Sequence, residues 1–201
     1  MQLDDSLEEN GAFMVQRSLY IFGSNVDLAE PVLADIMLIY GIWQDPLVQK
    51  NFNFIPDWQS YDEFLEWHDD PTRKKPRFYA TILYRQDKQA IGAVSLAPED
   101  QEPDLAIWLQ QDFRRKGLGT EAFALAVQFL FQQLDIPYLL TGVYEYNLPS
   151  IRLMDRLQFK RFPQKDLVED SVFGEGQVQQ LAFRLLHDEW CEQHPTIGRR
   201  E

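Results

Sequence analysis

The stretch that decides the fold is Asp104-Leu-Ala-Ile-Trp-Leu-Gln-Gln-Asp-Phe-Arg-Arg-Lys-Gly-Leu-Gly-Thr120. It begins as an apolar strand over residues 104–109, continues through three consecutive cations, and places Gly117 and Gly119 where a long helix starts. Free backbone N–H groups and the positive end of the helix dipole meet at such a junction. Because a glycine lacks a Cβ, an anion can approach its backbone closely. In an otherwise acidic chain, this junction predicts a pyrophosphate-binding loop.

The flanking segments predict an α+β domain with a mixed sheet, because hairpins accompany a single strand–helix–strand unit. Strands are predicted over residues 13–22, 78–84, 90–96, 104–109, 138–144, 168–173 and 178–185. Helices are predicted over residues 27–43, 60–68, 120–134 and 149–157, with Asn25 or Asp27 capping the first and Ser60 the second. The aromatic-rich segment between the first two helices is predicted to be a loop.

Composition restricts the class of protein. The 201 residues suit one domain over 1–201, with 1–12 as a loose arm and 187–201 as a C-terminal helix and tail. A net charge of −13 disfavours nucleic acid or an anionic membrane as partner and favours a cationic substrate. A single cysteine excludes an internal disulfide. No apolar run approaches the roughly 18 residues of a membrane span, and the acidic start differs from a signal peptide, so a cytoplasmic protein is expected.

Two other interpretations of the junction remain open. The first is a solvated loop with a glycine at the helix entry, since glycines and basic residues are common in loops. The second is a nucleotide fold, because Gly117-Leu-Gly119-Thr-Glu-Ala122 matches G-x-G-x-x-A. That fingerprint normally follows its strand directly, whereas here residues 110–116 intervene. A Walker loop is disfavoured because Thr120 is not preceded by lysine.

Two motifs at matching distances resemble the GNAT N-acetyltransferase family. Leu109-(x4)-Arg114-x-x-Gly117-x-Gly119 is similar to its acyl-CoA signature, Q/R-x-x-G-x-G/A. Asn147-Leu-Pro-Ser-Ile-Arg-Leu-Met-Asp-Arg-Leu-Gln-Phe159 resembles its later N-x-x-S-x-x-(L/V)-x-x-x-L-G-F segment. The strand over 104–109 resembles E-(L/I)-G-Y-W-L of the Rim-type branch, which acetylates ribosomal-protein N-termini. The resemblance implies a three-layer α/β/α fold around a mixed, mostly antiparallel sheet that is splayed in the middle.

The resemblance also implies a reaction, in which a primary amine attacks acetyl-CoA directly in a ternary complex. Acetyl-CoA is then a co-substrate, and no metal is implied. Backbone groups of Trp108 and Leu109 are expected to pair with the pantetheine arm, and Asn147 to contact the cofactor or an ordered water. The residues expected to hold the pyrophosphate are Arg114, Arg115, Lys116, Gly117, Leu118, Gly119 and Thr120.

Each candidate catalytic residue has a structural alternative. Asp104 is the candidate base, or else a turn residue after a proline. Ser150 is the acid in the Rim-type branch, or else a serine that bonds the backbone in the first turn of a helix. Tyr144 and Tyr146 are further candidate acids, because strand alternation places both on one face, or else packing aromatics.

The sequence departs from the family at three positions. Gln158 replaces the glycine of L-G-F, and a left-handed backbone there would cost on the order of 1 kcal/mol. Asp104 shortens the acid of E-L-G-Y-W-L, and Met154 stands where many GNAT enzymes carry a tyrosine that protonates the leaving thiolate. These two changes bear on catalysis.

The acceptor and the oligomeric state stay open. A protein N-terminus, a polyamine and an aminoglycoside all suit the acidic chain, and a homodimer is one option for the assembly. A different acyl-CoA, or a non-catalytic acyl-CoA-binding module, is the alternative function. His187, Cys191 and His194 share a helix face that could bind a metal, but a surface helix is the favoured interpretation.

Overall fold

The computed structural model describes residues 17–134 and 136–194, and within them the chain forms nine strands and six helices. The strands are β1 (Leu19–Phe22), β2 (Val26–Ala29), β3 (Phe78–Tyr84), β4 (Ala90–Leu96), β5 (Leu105–Leu109), β6 (Tyr138–Tyr144), β7 (Lys160–Arg161), β8 (Leu167–Asp170) and β9 (Gln177–Leu186). The helices are α1 (Asp35–Trp43), α2 (Pro46–Asn51), α3 (Tyr61–Asp69), α4 (Leu118–Gln133), α5 (Leu148–Arg156) and α6 (His187–Gln193). No helix in this part of the chain is both long and apolar enough to span a bilayer.

The strands form two sheets that touch at one point. The first sheet is antiparallel throughout, in the order β1-β2-β3-β4-β5. The second has the order β6-β9-β7, and β8 also pairs with β9. An isolated parallel bridge joins Asp104 to Leu140, where the Leu140 N–H donates to the Pro103 carbonyl at 3.0 Å. Beyond this bridge β5 and β6 belong to different sheets, which confirms the predicted splay.

Helix α4 fills one side of the sheets because its apolar stripe is wide. Leu130 and Ala126 on this helix are fully buried in the main core cluster, which also contains Leu105 and Leu109 of β5. Since strand side chains alternate between faces, Asp104 and its neighbours at every second position face the opposite side. Helix α1 packs on that side against β4, and α2 and α3 pack against α1. The predicted α+β, three-layer arrangement is therefore confirmed.

The predicted helix over residues 27–43 is wrong at its start. Residues 26–29 form β2 in the interior of the first sheet, and α1 begins only at Asp35. Asp27 is no helix cap, since it is fully buried and pairs with Lys88 at 3.0 Å. The apolar spacing suited a helix, but pairing with β3 buries this segment more completely than one helix face would.

Helix α2 lies within the segment predicted to be a loop. Asp45 caps it by accepting a hydrogen bond from the Leu47 N–H at 2.8 Å, and Pro46 occupies the first helical position. The Ser60 cap of α3 is confirmed, because its hydroxyl accepts from the Glu63 N–H at 3.2 Å.

Other boundaries shift by a few residues. Helix α4 starts two residues before the predicted Thr120, and β8 spans Leu167–Asp170 rather than 168–173. The predicted arm over 1–12, the start of the strand over 13–22 and the tail beyond residue 194 lie outside the described residues.

Candidate active site

The junction between β5 and α4 is an open helix N-terminus. Gly117 is the N-cap with φ at 82°, a left-handed conformation that favours glycine, and no side chain caps the helix. A side chain at Gly117 would enter open space, whereas a Cβ on Gly119 would lie 3.1 Å from Leu109 Cδ1. Gly119 therefore allows close packing of helix on strand, and Gly117 leaves room for an anion. Leu118 is buried beneath them and Thr120 is half-buried.

Two of the three cations are available at this junction. Arg115 and Lys116 are exposed, and Arg115 has a left-handed backbone with φ at 60°. Lys116 Nζ lies 5.5 Å from the centre of the Phe113 ring. Together with the free N–H groups of a 16-residue helix, these side chains fit a diphosphate.

Arg114 is engaged elsewhere. Its Nε donates to the Leu109 carbonyl at 2.9 Å, and its guanidinium forms an ion pair with Asp45 at 2.6 Å. The sequence grouped Arg114 with the phosphate-binding cations, but the structure turns it toward α2. The reason is a nearby carboxylate that the sequence did not single out.

The last residues of β5 present one main-chain face to the gap between the sheets. The Gln110 N–H donates to the Ile91 carbonyl, and the Ala97 N–H to the Asp104 carbonyl, both at 2.9 Å. Because hydrogen bonds alternate along an antiparallel pair, the Trp108 main chain faces β4 and that of Leu109 faces the gap. The Leu109 carbonyl already accepts a hydrogen bond from Arg114. The Leu109 N–H is therefore the main-chain group of this residue that can bind a ligand.

Asp104 lies at the vertex where the sheets separate. Surrounding protein raises the pKa of its carboxyl group, and a hydrogen bond from the Gly142 N–H offsets part of this rise. The side chain nevertheless keeps access to solvent, which limits the effect. A carboxylate with a raised pKa that water can still reach is suited to accept a proton.

Tyr144 is held in a polar cluster at the far end of β6. Its hydroxyl donates to the Glu169 carboxylate, which also accepts from Asn53 Nδ2 at 2.7 Å. The Tyr146 ring stacks on it at 5.5 Å, with 6° between the ring planes. Burial and then the Glu169 hydrogen bond raise the pKa of Tyr144, so the phenol stays protonated.

Asn147 and Ser150 meet at the start of α5. Asn147 is buried, and its side-chain oxygen accepts from the Ser150 N–H at 3.3 Å, so it caps this helix. Within the described residues, the half-buried Ser150 hydroxyl has no hydrogen-bond partner. Met154, at the family's tyrosine position, is 1% exposed in the core and offers no proton.

An aromatic wall covers β5 on the side opposite α4. The Trp108 ring lies 5.8 Å from Trp43 and 6.0 Å from Phe52, which follows α2 directly. Trp108 Nε1 is buried without a hydrogen-bond partner among the described residues. The sequence indicated the aromatic cluster but not its polar neighbours Asp45, Asn53 and Glu169. For Asp45 a signal existed, since an Asp before a Pro is typical of a helix start.

The candidate metal face on α6 is not assembled. His187 Nε2 lies 3.6 Å from Cys191 Sγ, but the His194 ring stacks on Trp190 at 3.9 Å. Over residues 17–134 and 136–194, no three His, Cys, Asp or Glu side chains are grouped to hold a metal ion.

The chain is similar to known proteins of one family. The model of the acetyltransferase (GNAT) domain matches residues 25–160. The uncharacterised N-acetyltransferase p20 of Bacillus licheniformis is 23% identical over 177 residues, which is 85% of this chain and 98% of that protein.

Solved structures agree on the fold. A spermidine N-acetyltransferase from Vibrio cholerae, in complex with CoA and spermine, superposes with a TM-score of 0.72 at 16% identity, covering 84% of this chain and 99% of that one. A GCN5-related N-acetyltransferase from Brucella melitensis gives 0.66 at 18% identity, covering 90% and 84%. These matches do not distinguish the Rim-type branch, which stays a prediction. Since the family model spans more than half of its length, the chain belongs to the GNAT acetyltransferase family and is an N-acetyltransferase.

Proposed function

We propose that this N-acetyltransferase transfers the acetyl group of acetyl-CoA to a primary amine on a cationic molecule, by direct attack in a ternary complex. The observation that carries the proposal is the uncapped N-terminus of α4. It opens at Gly117, beside the free N–H of Leu109 and next to the gap between the sheets. An anion site and a carbonyl-polarising donor thus adjoin one cleft.

Acetyl-CoA would be held by main-chain groups more than by side chains. The N–H groups of the first turn of α4 bind the diphosphate, and Arg115 and Lys116 add positive charge from the exposed loop. The pantetheine arm takes the place of a strand beside β5. The Leu109 N–H is then the donor for the thioester oxygen, where negative charge develops during attack.

Asp104 is the proposed base. The amine nitrogen forms a bond to the thioester carbon, the carbon–sulfur bond breaks, and the nitrogen loses a proton to the carboxylate, directly or through water. An ordinary Asp, with a pKa near 3.9, is a weak base toward a Lys amine near 10.4 and a better match for an α-amine near 8. The raised pKa of Asp104 narrows the gap between the pKa of the carboxyl group and that of the amine.

The acid that protonates the thiolate is Ser150 or Tyr144 in this proposal. The Ser150 hydroxyl is free to donate, because no described residue accepts from it. Tyr144 would first have to leave Glu169. Ser150 is therefore the better candidate, and a thiolate that leaves unprotonated is the remaining option.

The acceptor is proposed to be cationic because the chain carries a net charge of −13. The spermidine N-acetyltransferase of the same fold binds spermine, which is a polycation. A polyamine, a basic protein N-terminus and an aminoglycoside all meet this requirement.

Two measurements test the proposal. Calorimetry with CoA and acetyl-CoA should show binding, and an amine panel should identify an acceptor by release of free thiol from acetyl-CoA. Turnover on cationic amines and none on neutral or acidic ones would support the proposal. Binding without turnover on any amine would instead favour a non-catalytic acyl-CoA-binding module.

A further inference from the structure

We infer that Arg114 and Asp45 form a positioning pair, which fixes the acceptor side of the cleft relative to the strand that polarises the thioester. In this assignment Arg114 is not a phosphate ligand, although it belongs to the cationic loop. The inference rests on the proposed function and deepens it.

The pair joins three parts of the chain. Arg114 Nε donates to the Leu109 carbonyl at the end of β5 at 2.9 Å, and the guanidinium contacts Asp45 Oδ2 at 2.6 Å. Asp45 Oδ1 accepts from the Leu47 N–H at 2.8 Å and so caps α2. One guanidinium and one carboxylate therefore connect the strand, the loop and the helix.

The pair is shielded from water. The side chains of Arg114 and Asp45 are 22% and 20% exposed, respectively. A charge pair that is largely withdrawn from solvent interacts more strongly than a surface pair and is screened less by salt. Removing one partner leaves the other charge uncompensated, so the arrangement is costly to break.

The pair lies where the two substrates must meet. Its carbonyl partner belongs to Leu109, whose N–H faces the gap, so Arg114 restrains the peptide group next to the proposed thioester donor. At the other end, α2 leads directly into Phe52, whose ring packs 6.0 Å from Trp108 on the acceptor side. A shift of α2 would therefore move the aromatic wall relative to the Leu109 N–H.

These contacts predict a separation of effects. Loss of the pair should weaken acceptor binding and slow transfer, because both depend on the distance between the wall and the strand. Affinity for CoA should persist, because Arg115, Lys116 and the α4 N–H groups remain. If Arg114 were a phosphate ligand, its loss would weaken CoA binding, whereas neutralising Asp45 would release the guanidinium and strengthen it.

The test uses Asp45→Asn and Arg114→Gln, singly and together. Asn caps a helix as well as Asp does, so Asp45→Asn removes the ion pair while α2 keeps its cap. The measurements are CoA affinity by calorimetry, which also reports that each variant is folded, and the KM and kcat for the best amine of the panel. Arg115→Gln is the matched control, because it removes an exposed cation from the same loop.

We expect each single variant to raise the amine KM about tenfold with the CoA Kd unchanged within about twofold, and the double variant to be no worse than Arg114→Gln. Arg115→Gln should instead weaken CoA binding and leave the amine KM unchanged. A tenfold loss of CoA affinity in Arg114→Gln alone, additive effects in the double variant, or unchanged kinetics in Asp45→Asn would each overturn the inference. If the wild type acetylates an amine and one of these results is found, the positioning pair is overturned and the proposed function stands. A wild type that acetylates no amine overturns the proposed function and the pair together.

Discussion

The carboxylate of Glu121, on the first turn of α4, accepts a hydrogen bond from the Asn25 N–H at 2.7 Å, across 96 positions of sequence. The N–H groups of Ser24 and Val26 and the Asn25 side-chain amide donate to the same carboxylate. The turn between β1 and β2 is thereby fastened to the helix that begins the anion site. Burial alone would raise the pKa of Glu121, but these donors together hold it below its ordinary value.

Glu121→Gln should therefore lower the free energy of unfolding by about 1–2 kcal/mol at pH 7. A carboxyl group with a lowered pKa in the folded state stabilises the protein above its unfolded pKa, near 4.3, and loses this contribution as the pH falls through the folded pKa. Denaturant unfolding at several pH values measures the difference, which should vanish in strong acid. Glu66→Gln, an exposed change on α3, is the control. A difference that persists unchanged at pH 2 would contradict this account.

Gly117→Glu should abolish binding of CoA while the fold is retained. The residue has φ at 82° and open space around it, so a side chain there costs roughly 1–2 kcal/mol in backbone strain and places a negative charge in the proposed diphosphate site. Calorimetry with CoA is the measurement. Gly174→Glu matches the strain, because Gly174 has φ at 73° and open space but lies in the turn between β8 and β9. Equal CoA affinity in the two variants would show that the diphosphate does not bind at the N-terminus of α4.

Asp104→Asn should lower kcat by about 10²-fold or more while the CoA Kd stays within about twofold. The carboxylate is the active form of a base, so wild-type activity should fall as the pH drops through the pKa of Asp104. Because that pKa is raised, the fall should occur at higher pH than the ordinary value near 3.9 allows. The variant should lack this acid limb. The control is Asp100→Asn, an exposed change in the loop before β5, which should keep the fall in activity at low pH. The same fall in Asp104→Asn would show that another residue is the base.

Gln158→Gly should stabilise the protein. Gln158 follows the C-cap of α5 with φ at 60°, and the Phe159 N–H closes the turn on the Met154 carbonyl at 3.0 Å. A residue other than glycine in this conformation costs about 1 kcal/mol, so its replacement should raise Tm by about 2–4 °C. Arg152→Gly within α5 is the control and should lower Tm, because glycine weakens a helix interior. A Tm that does not rise in Gln158→Gly would show that the strain is relieved elsewhere.

The fold was predictable wherever a local pattern had one solution. The sequence predicts the hairpin over 78–96 and the apolar helix after Gly119 correctly, because alternation and the helical period coincide with turn residues. For residues 26–29 the predicted helix is wrong, since a short apolar segment is equally compatible with a buried strand and a helix. Only the position of β3, far away in sequence, decides between them.

The geometry of the candidate site was predictable where it depends on the backbone, and less so where it depends on contacts between side chains. The junction at Gly117 follows from glycine and helix geometry alone. The partner of Arg114 does not, because Asp45 approaches it only after α2 packs against the end of β5. Likewise, nothing local in the sequence joins Tyr144 to Glu169.

The divergence of β5 from β6 leaves a row of amides with no strand opposite them. In the free enzyme, the Leu109 N–H should exchange its hydrogen for solvent deuterium readily, because no main-chain partner protects it. A pantetheine arm lying along the strand would fill this row, and deuterium uptake there should slow when CoA is added. Bound CoA would then supply the hydrogen-bond partners that the sheet lacks at this edge. The free enzyme would unfold less cooperatively than the enzyme with CoA bound.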